Sequence, residues 1–180
     1  MKSLVTSLLI SAAILLAATQ SASARPNDCL QFKEEEPVKE TIIRKFSEFD
    51  IQIEVAANSN AVLLDTGEVL IVDRGTYKYL RCLQNNPNAL GKGIFGILLS
   101  KGSQVKYELY NAKSLHRVGY DGRFIVYTKD HSYIAIRVMN NQGDTYISLY
   151  GDNFPKEEEA IKREVESLLV INKGVQVLEN

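Results

Sequence analysis

The stretch from Val105 to Tyr150 alternates apolar and polar residues in short runs, and this pattern limits the possible folds most strongly. A period of two predicts strands that bury one face. Connections of a few residues join such strands only as antiparallel neighbours, and Gly, Asn and Asp between the runs supply the turns. The sequence therefore predicts an antiparallel sheet with strands at Val105–Tyr110, Arg123–Lys129, Ser132–Met139 and Asp144–Tyr150.

Earlier segments predict further strands. Ile51, Ile53 and Val55 alternate with polar residues, and the runs 61–65 and 69–73 flank a tight turn at Gly67. A buried strand is expected after the glycine-rich segment 91–96. The run 77–84 favours a strand, with a short helix capped by Thr76 as the alternative. Together these segments predict about seven or eight strands.

Helical patterns flank the strands. Pro37 follows three glutamates, and apolar residues then recur at spacings of three and four as far as Phe49, which predicts an N-terminal helix. Pro155 and the acidic residues after it open a second helix, for which Gly174 would be a left-handed stop. The predicted class is α+β: an antiparallel sheet with an N-terminal helix and a C-terminal helix packed on it.

The first residues have the composition of a secretory leader. A basic Lys2 precedes an apolar run from Leu4 to Ala18, and Ala22-Ser23-Ala24 supplies small residues at a cleavage site. The run is shorter than the roughly 20 residues of a membrane-spanning helix. We expect a cleaved signal peptide at 1–24, a single domain at 25–180 with no membrane span, and a periplasmic or extracellular location. An uncleaved anchor is the alternative.

Two cysteines, Cys29 and Cys82, follow the leader. An even number of cysteines in an exported chain indicates a disulfide. A redox motif needs two thiols separated by two residues, and a structural zinc site needs four ligands, so neither fits these cysteines. We expect a Cys29–Cys82 disulfide, worth roughly 4 kcal/mol at most by chain entropy.

Net charge and apolar content indicate which classes of partner the chain can bind. The formal net charge is −1, and 45% of the residues are apolar. Such a composition is typical of a globular domain and excludes a disordered chain. Nucleic-acid binders carry a clustered excess of Lys and Arg, so we expect no nucleic-acid partner.

The glycines of segment 91–96 match the spacing of a dinucleotide-binding loop. That loop needs a strand before it and a helix after it. Here an Asn/Pro loop precedes the glycines, and the apolar stretch after them ends at Lys101. We expect no bound cofactor and interpret the segment as a flexible loop entering a buried strand. An apolar patch at Ile94–Leu99, inserting into a membrane or self-associating, is the alternative.

The two histidines carry no local catalytic or metal-binding pattern. His116 lies among cations and His131 lies at the tip of a predicted hairpin. A hydrolase nucleophile needs a paired base and an orienting carboxylate, and a zinc site needs further ligands. We expect no metal site here, while carboxylates that meet only in space leave a hydrolase open.

Strand register predicts which side chains share a face. With turns at Asp130-His131 and Asn140–Gly143, Tyr127 faces Ile134 and Arg137 faces Tyr146. One face then forms a core for the C-terminal helix to cover, comprising Ile125, Tyr127, Ile134, Ile136, Val138, Ile147 and Leu149. The opposite face carries a ligand-binding or partner-binding candidate, comprising Phe124, Tyr133, Arg137, Tyr146 and Tyr150.

Aromatic rings around an arginine suit an anionic or sugar-like ligand, or a protein partner. The alternative is that the N-terminal half of the chain covers this face. We therefore expect a non-enzymatic binding module of the cell envelope or exterior. Two other classes stay open: a secreted hydrolase with a carboxylate or histidine site, and an envelope assembly subunit that associates through Ile94–Leu99.

Overall fold

The computed structural model describes residues 28–111, 122–151 and 156–178. These ranges contain two α-helices, α1 (Arg74–Asn85) and α2 (Glu158–Lys173). The strands are β1 (Thr41–Phe46), β2 (Ile51–Ala56), β3 (Ser59–Leu63), β4 (Val69–Asp73), β5 (Gly96–Lys101), β6 (Tyr110–Asn111), β7 (Arg123–Tyr127), β8 (Ile134–Asn140), β9 (Gly143–Tyr150) and β10 (Val175–Val177).

The strands form two antiparallel sheets. The large sheet has seven strands in the order β3-β4-β5-β9-β8-β7-β6, and the small sheet has three in the order β1-β2-β10. An α+β fold with a large antiparallel sheet is thus confirmed.

The register predicted from the turns is also confirmed. Tyr127 pairs with Ile134, and Arg137 pairs with Tyr146. The β8–β9 connection is tighter than expected, because the ladder continues to an Asn140–Gly143 pair. Gly143, the residue that follows the two turn residues, has a φ of 111°, a conformation that glycine adopts at little cost.

The main core lies between the large sheet, the small sheet and α2. Ile136 and Ile147 from the large sheet are fully buried against Ile53 of β2 and Leu168 of α2. The C-terminal helix covers this face as predicted, packing on β8 and β9. The small sheet is a second cover that the sequence did not predict.

The expected N-terminal helix is wrong. Residues 33–40 form an arm that is neither helix nor strand, β1 follows, and a short 3-10 turn occupies Ser47–Phe49. The Asn58 side chain holds the arm, accepting from Val38 N (3.3 Å) and donating to Glu36 O (2.9 Å). The β-branched Ile42 and Ile43 favour the strand, which pairs with β2.

The run favoured as a strand at 77–84 is helical instead. Asp73 caps α1 with a side-chain oxygen that accepts from Thr76 N at 2.9 Å. Gly75 brings the first turn of the helix against the N-terminal arm, since a Cβ there would lie 1.7 Å from Lys33 O. The local Asp73 cap favours the helix, and the period of two in this run was misleading.

The strand expected at Val105–Tyr110 is also largely wrong. Residues 103–109, called the strap below, cross the large sheet without joining it, and strand structure is confined to β6. Gly174 differs from expectation too. Its φ is −92°, and its role is close packing, since a Cβ there would lie 2.9 Å from Glu54 Cβ.

The Cys29–Cys82 disulfide is confirmed and joins the 3-10 turn Asp28–Gln31 to α1. No helix in the described ranges is both long and apolar enough to cross a bilayer. The predicted signal peptide 1–24, His116 and the helix start at Pro155 lie outside the described residues.

Candidate functional site

The candidate site lies on the face of the large sheet opposite α2, called the outer face below. Tyr133 and Tyr146 are buried there in one small cluster, against which Phe124 packs. Arg137 is paired with Phe124 on one side and with Tyr146 on the other. Four of the five predicted site residues therefore come together.

Tyr150 is separated from the other four. It ends β9 opposite Gly96 and lines a groove formed with the N-terminal arm. The alternation of side chains along β9 predicted that Tyr150 shares the outer face with Tyr146. The sequence did not show that the end of β9 lies beside the N-terminal arm.

Arg137 forms an ion pair with Asp144 across the β8–β9 hairpin. Its Nε and Nη2 both donate to Asp144 Oδ2, at 3.0 and 2.6 Å. The hydrogen bond to Asp144 raises the pKa of Arg137, so the guanidinium stays charged. The side chain is 35% exposed. Because an arginine has five N–H donors and Asp144 uses two, three remain to bind an anion.

The strap covers the rings of this face. The Tyr107 ring stacks on Tyr133, with 4.8 Å between centroids and 23° between planes. Val105 and Leu109 pack beside it, and Tyr133 and Tyr146 are each only 9% exposed. The cover thus comes from the segment after β5 and not from the N-terminal half of the chain, the alternative that the sequence had suggested.

A polar strip runs under the strap on the outer face. The buried Ser100 hydroxyl donates to Glu68 Oε1 at 2.6 Å, and Thr66 donates to Glu68 Oε2 at 2.8 Å. The buried Tyr133 hydroxyl has no partner of hydrogen-bonding geometry among the described residues, although Ser148 lies close enough to influence it.

Burial raises the pKa of Tyr133 well above its ordinary value, and the negative charge of Glu68 adds to the increase, while Ser148 opposes it. Tyr133 therefore remains a neutral O–H at physiological pH. Sequence reasoning missed Glu68 and Ser100, because they lie on elements far from Tyr133 in the chain and meet it only through the strand order.

The strap is anchored at its ends. Gly102 N donates to Asp144 O at 2.8 Å, and the Gln104 side chain donates to Thr66 O at 2.7 Å. Beyond the strap, Tyr110 pairs with Tyr127 in β7. Between these anchors, no backbone group of residues 105–109 is hydrogen-bonded to another described residue. Within the described ranges, this part of the strap is held on the sheet by side-chain packing.

The other sequence candidates have structural roles. His131, at φ 56°, stacks on Tyr127 with 4.9 Å between ring centroids. The loop at 91–96 is fixed by Lys92, whose backbone N–H donates to the Tyr79 hydroxyl and whose ammonium donates to Phe32 O. Gly96 permits close strand packing, since a Cβ there would lie 2.6 Å from Ile71 O. This loop leads into a strand, so it lacks the helix that a dinucleotide site requires.

The described residues contain no group of three or more His, Cys, Asp or Glu side chains placed to hold a metal ion. On the outer face, the polar strip reaches the Arg137–Asp144 pair through neighbouring strands, because Ser100 pairs with Tyr146 and Tyr146 pairs with Arg137. Comparisons of the chain with protein-family models, with curated proteins and with solved structures found no match.

Proposed function

We propose that this chain is an exported, non-enzymatic binding module, and that its outer face binds a ring-bearing anion such as an acidic sugar. The Tyr107–Tyr133 stack carries the proposal. A ring of the strap occupies the position in which a ligand ring would stack, on the ring of Tyr133, whose buried hydroxyl has no partner in the described part of the chain. Displacing Tyr107 would give the ligand both a stacking surface and a hydrogen-bond donor.

Arg137 supports the anionic part of this proposal. Asp144 fixes the plane of the guanidinium and leaves three N–H donors without a partner among the described residues. A carboxylate or sulfate on the ligand would receive charge-assisted hydrogen bonds from them, which are stronger than neutral ones. In this role Asp144 is a positioning residue.

Access to the site depends on the strap. Since residues 105–109 have no backbone hydrogen bonds to other described residues, local opening breaks side-chain contacts and leaves the hydrogen-bonded ladders of the sheet intact. Opening still has a free-energy cost, because only open molecules can bind. The apparent association constant is the intrinsic one multiplied by the fraction of molecules that are open.

Export is the second part of the proposal. A disulfide persists in oxidising compartments, and this chain has one between Cys29 and Cys82. The signal-like sequence before Arg25 points in the same direction. Mass determination of the protein recovered from the exported fraction should give a chain that begins at Arg25, and a chain beginning at Met1 would contradict this part.

The binding proposal is tested by calorimetric titration with three probes: trigalacturonate, naphthalene-2-sulfonate and the neutral sugar maltotriose. We expect at least one anion to bind more tightly than maltotriose. Arg137→Ala should weaken that binding about tenfold or more, since a charge-assisted hydrogen bond contributes about 1.5–3 kcal/mol. Arg163→Ala, an exposed arginine of α2, is the matched control and should change nothing.

A second variant tests the strap. Tyr107→Ala removes the ring that the ligand must displace and should tighten binding about twofold to tenfold, the equivalent of an aromatic stack. If both anions fail to bind the wild type and Tyr107→Ala, the proposed binding function is wrong. Equal affinities for wild type and Arg137→Ala would place the ligand elsewhere.

A further inference from the structure

A second concave surface lies at the other end of the large sheet, between β4, β5 and the N-terminal arm. It is a groove of about 280 Å³. Ile71, Ile97 and Leu149 lie side by side on neighbouring strands and form its apolar floor. At its edge, Phe95 is 59% exposed. The apolar surface of the core thus continues outward into solvent here.

The arm forms a fixed wall of this groove. Glu35 N donates to Asp73 Oδ1 at 2.8 Å, and the buried Asn58 side chain holds Glu36 and Val38. The Cys29–Cys82 disulfide ties the chain just before the arm to α1. These contacts fix the wall before a ligand binds, which reduces the entropy cost of binding.

Parts of the arm backbone have no partner. In the described ranges, Glu34 N, Glu36 N, Glu35 O and Pro37 O make no hydrogen bond. These free groups can donate to, or accept from, the main chain of a peptide bound in the groove.

The charges of the groove are acidic. Glu34, Glu35 and Asp73 are its ionisable lining residues. Asp73 is used as the cap of α1, and Glu35 has two weak ion-pair partners, Arg74 and Lys78, each 3.9 Å away. Glu34 and its neighbour Glu36 are exposed and form no ion pair within the described part of the chain. These two carboxylates are free to attract a cation.

We propose that this groove binds an extended peptide segment of another protein, with an apolar side chain on the floor and flanking Lys or Arg side chains near Glu34 and Glu36. The floor supplies apolar burial, the arm supplies main-chain hydrogen bonds, and the acidic residues select a basic partner. This site is independent of the outer face and takes a ligand of opposite charge.

Fluorescence anisotropy with three labelled heptapeptides tests the proposal. KVKFKVK carries both required features, EVEFEVE reverses the charge and KSKSKSK removes the apolar side chains. We expect KVKFKVK to bind at least tenfold more tightly than either of the others, and its affinity to fall as NaCl is raised. Similar affinities for all three peptides, or no binding of KVKFKVK at millimolar protein, would overturn the proposal.

Paired charge reversals locate the site. Glu34→Lys with Glu36→Lys should weaken KVKFKVK binding at least fivefold. Glu158→Lys with Glu166→Lys makes the same change of net charge at exposed positions of α2 and should leave the affinity within twofold of wild type. Equal effects of the two pairs would show non-specific attraction and refute the site.

Two further variants separate this site from others. Phe95→Ser should also weaken the binding of KVKFKVK, while Arg137→Ala should bind it as the wild type does. Loss of peptide binding in Arg137→Ala would place the peptide on the outer face. If sedimentation shows a dimer that Phe95→Ser dissociates, and KVKFKVK does not bind, the groove holds a second copy of the chain and the proposal is wrong.

Discussion

Two buried tyrosines show how the same side chain can serve different ends in this molecule. The Tyr79 hydroxyl accepts a hydrogen bond from Lys92 N and so fixes the loop before β5. The Tyr133 hydroxyl is equally enclosed but lacks such a partner among the described residues. An unpaired buried hydroxyl costs about 1–3 kcal/mol, so its presence is explained more readily by ligand binding than by stability.

Phenylalanine substitutions should therefore act in opposite directions on the free energy of unfolding. Tyr133→Phe should leave stability unchanged or raise it by about 1 kcal/mol, because no hydrogen bond is lost. Tyr79→Phe should lower stability by about 1 kcal/mol. Urea unfolding of both variants checks this. A loss for Tyr133→Phe as large as that for Tyr79→Phe would mean that the hydroxyl is satisfied and has no free donor for a ligand.

Asp73 illustrates a residue whose charge stabilises local structure. Partial burial raises the pKa of Asp73, but hydrogen bonds from the side chain and backbone of Thr76 outweigh it and bring the net pKa below 3.8. A carboxyl whose pKa is lowered on folding contributes stability above its unfolded pKa, and that contribution is lost as the pH falls through the folded value.

Asp73→Ala should lower the free energy of unfolding by about 1 kcal/mol at pH 7, as the loss of a helix cap does. The difference from wild type should shrink as the pH falls below 3.8 and the carboxyl is protonated. Urea titrations from pH 7 to pH 2 measure both effects, with the exposed Asp65→Ala as the control. A difference that stays constant over this range would show that the charge has no part in the cap.

At the scale of elements, the local sequence pattern predicted strands well where a short turn connects a strand to its neighbour in the sheet. The β7–β8–β9 meander and the hairpin at Gly67 have the expected positions and partners. The helix expected near Val38 failed because Asn58 contacts the arm over 20 residues of sequence, a contact that no local period encodes. The strand expected near Tyr77 failed because Asp73 caps a helix there through Thr76 N, a local signal that the period of two concealed.

The site was predictable in part for the same reason. Alternation in β8 and β9 brought Tyr133, Arg137 and Tyr146 to one face, as found. Their partners were not predictable. Glu68 lies near Tyr133 only because of the order of strands in the sheet. Tyr107 belongs to the strap, whose alternation of apolar and polar residues wrongly predicted a strand.

The strap lies on the large sheet, and its backbone amides should be less protected from hydrogen exchange than those of the strands beneath it. Amides of residues 105–109 have no carbonyl partner among the described residues, whereas those of β8 lie in a ladder with strands on both sides. Hydrogen–deuterium exchange should therefore be complete within seconds for the strap and take hours or longer for residues 134–138. Protection of the strap comparable to that of β8 would contradict a strap held by side-chain packing.

At the scale of the whole molecule, one disulfide links the N-terminal segment to the part of the chain that carries α1. The bridge closes a sequence separation of 53 residues. It holds the arm close to α1, where Gly75 allows the two backbones to approach. The position of the groove wall beside α1 therefore depends on this covalent link.

Replacing both cysteines, with Cys29→Ser and Cys82→Ser, should lower the free energy of unfolding by up to roughly 4 kcal/mol. The variant should also bind KVKFKVK more weakly, because its arm is less fixed, while probe binding at the outer face should be retained. Urea unfolding and the two titrations test this. The wild type should show no reactive thiol without reductant, and two titratable thiols in the folded protein would refute the bridge.

The most direct test of the central claim is a heteronuclear NMR titration of the ¹⁵N-labelled protein with trigalacturonate or naphthalene-2-sulfonate, whichever binds more tightly. The account predicts the largest shift changes at the amides of strap residues 105–109 and at the Arg137 Nε–H, with small changes around α2. A spectrum in which the strap and Arg137 stay unchanged while other regions shift would contradict an outer-face site.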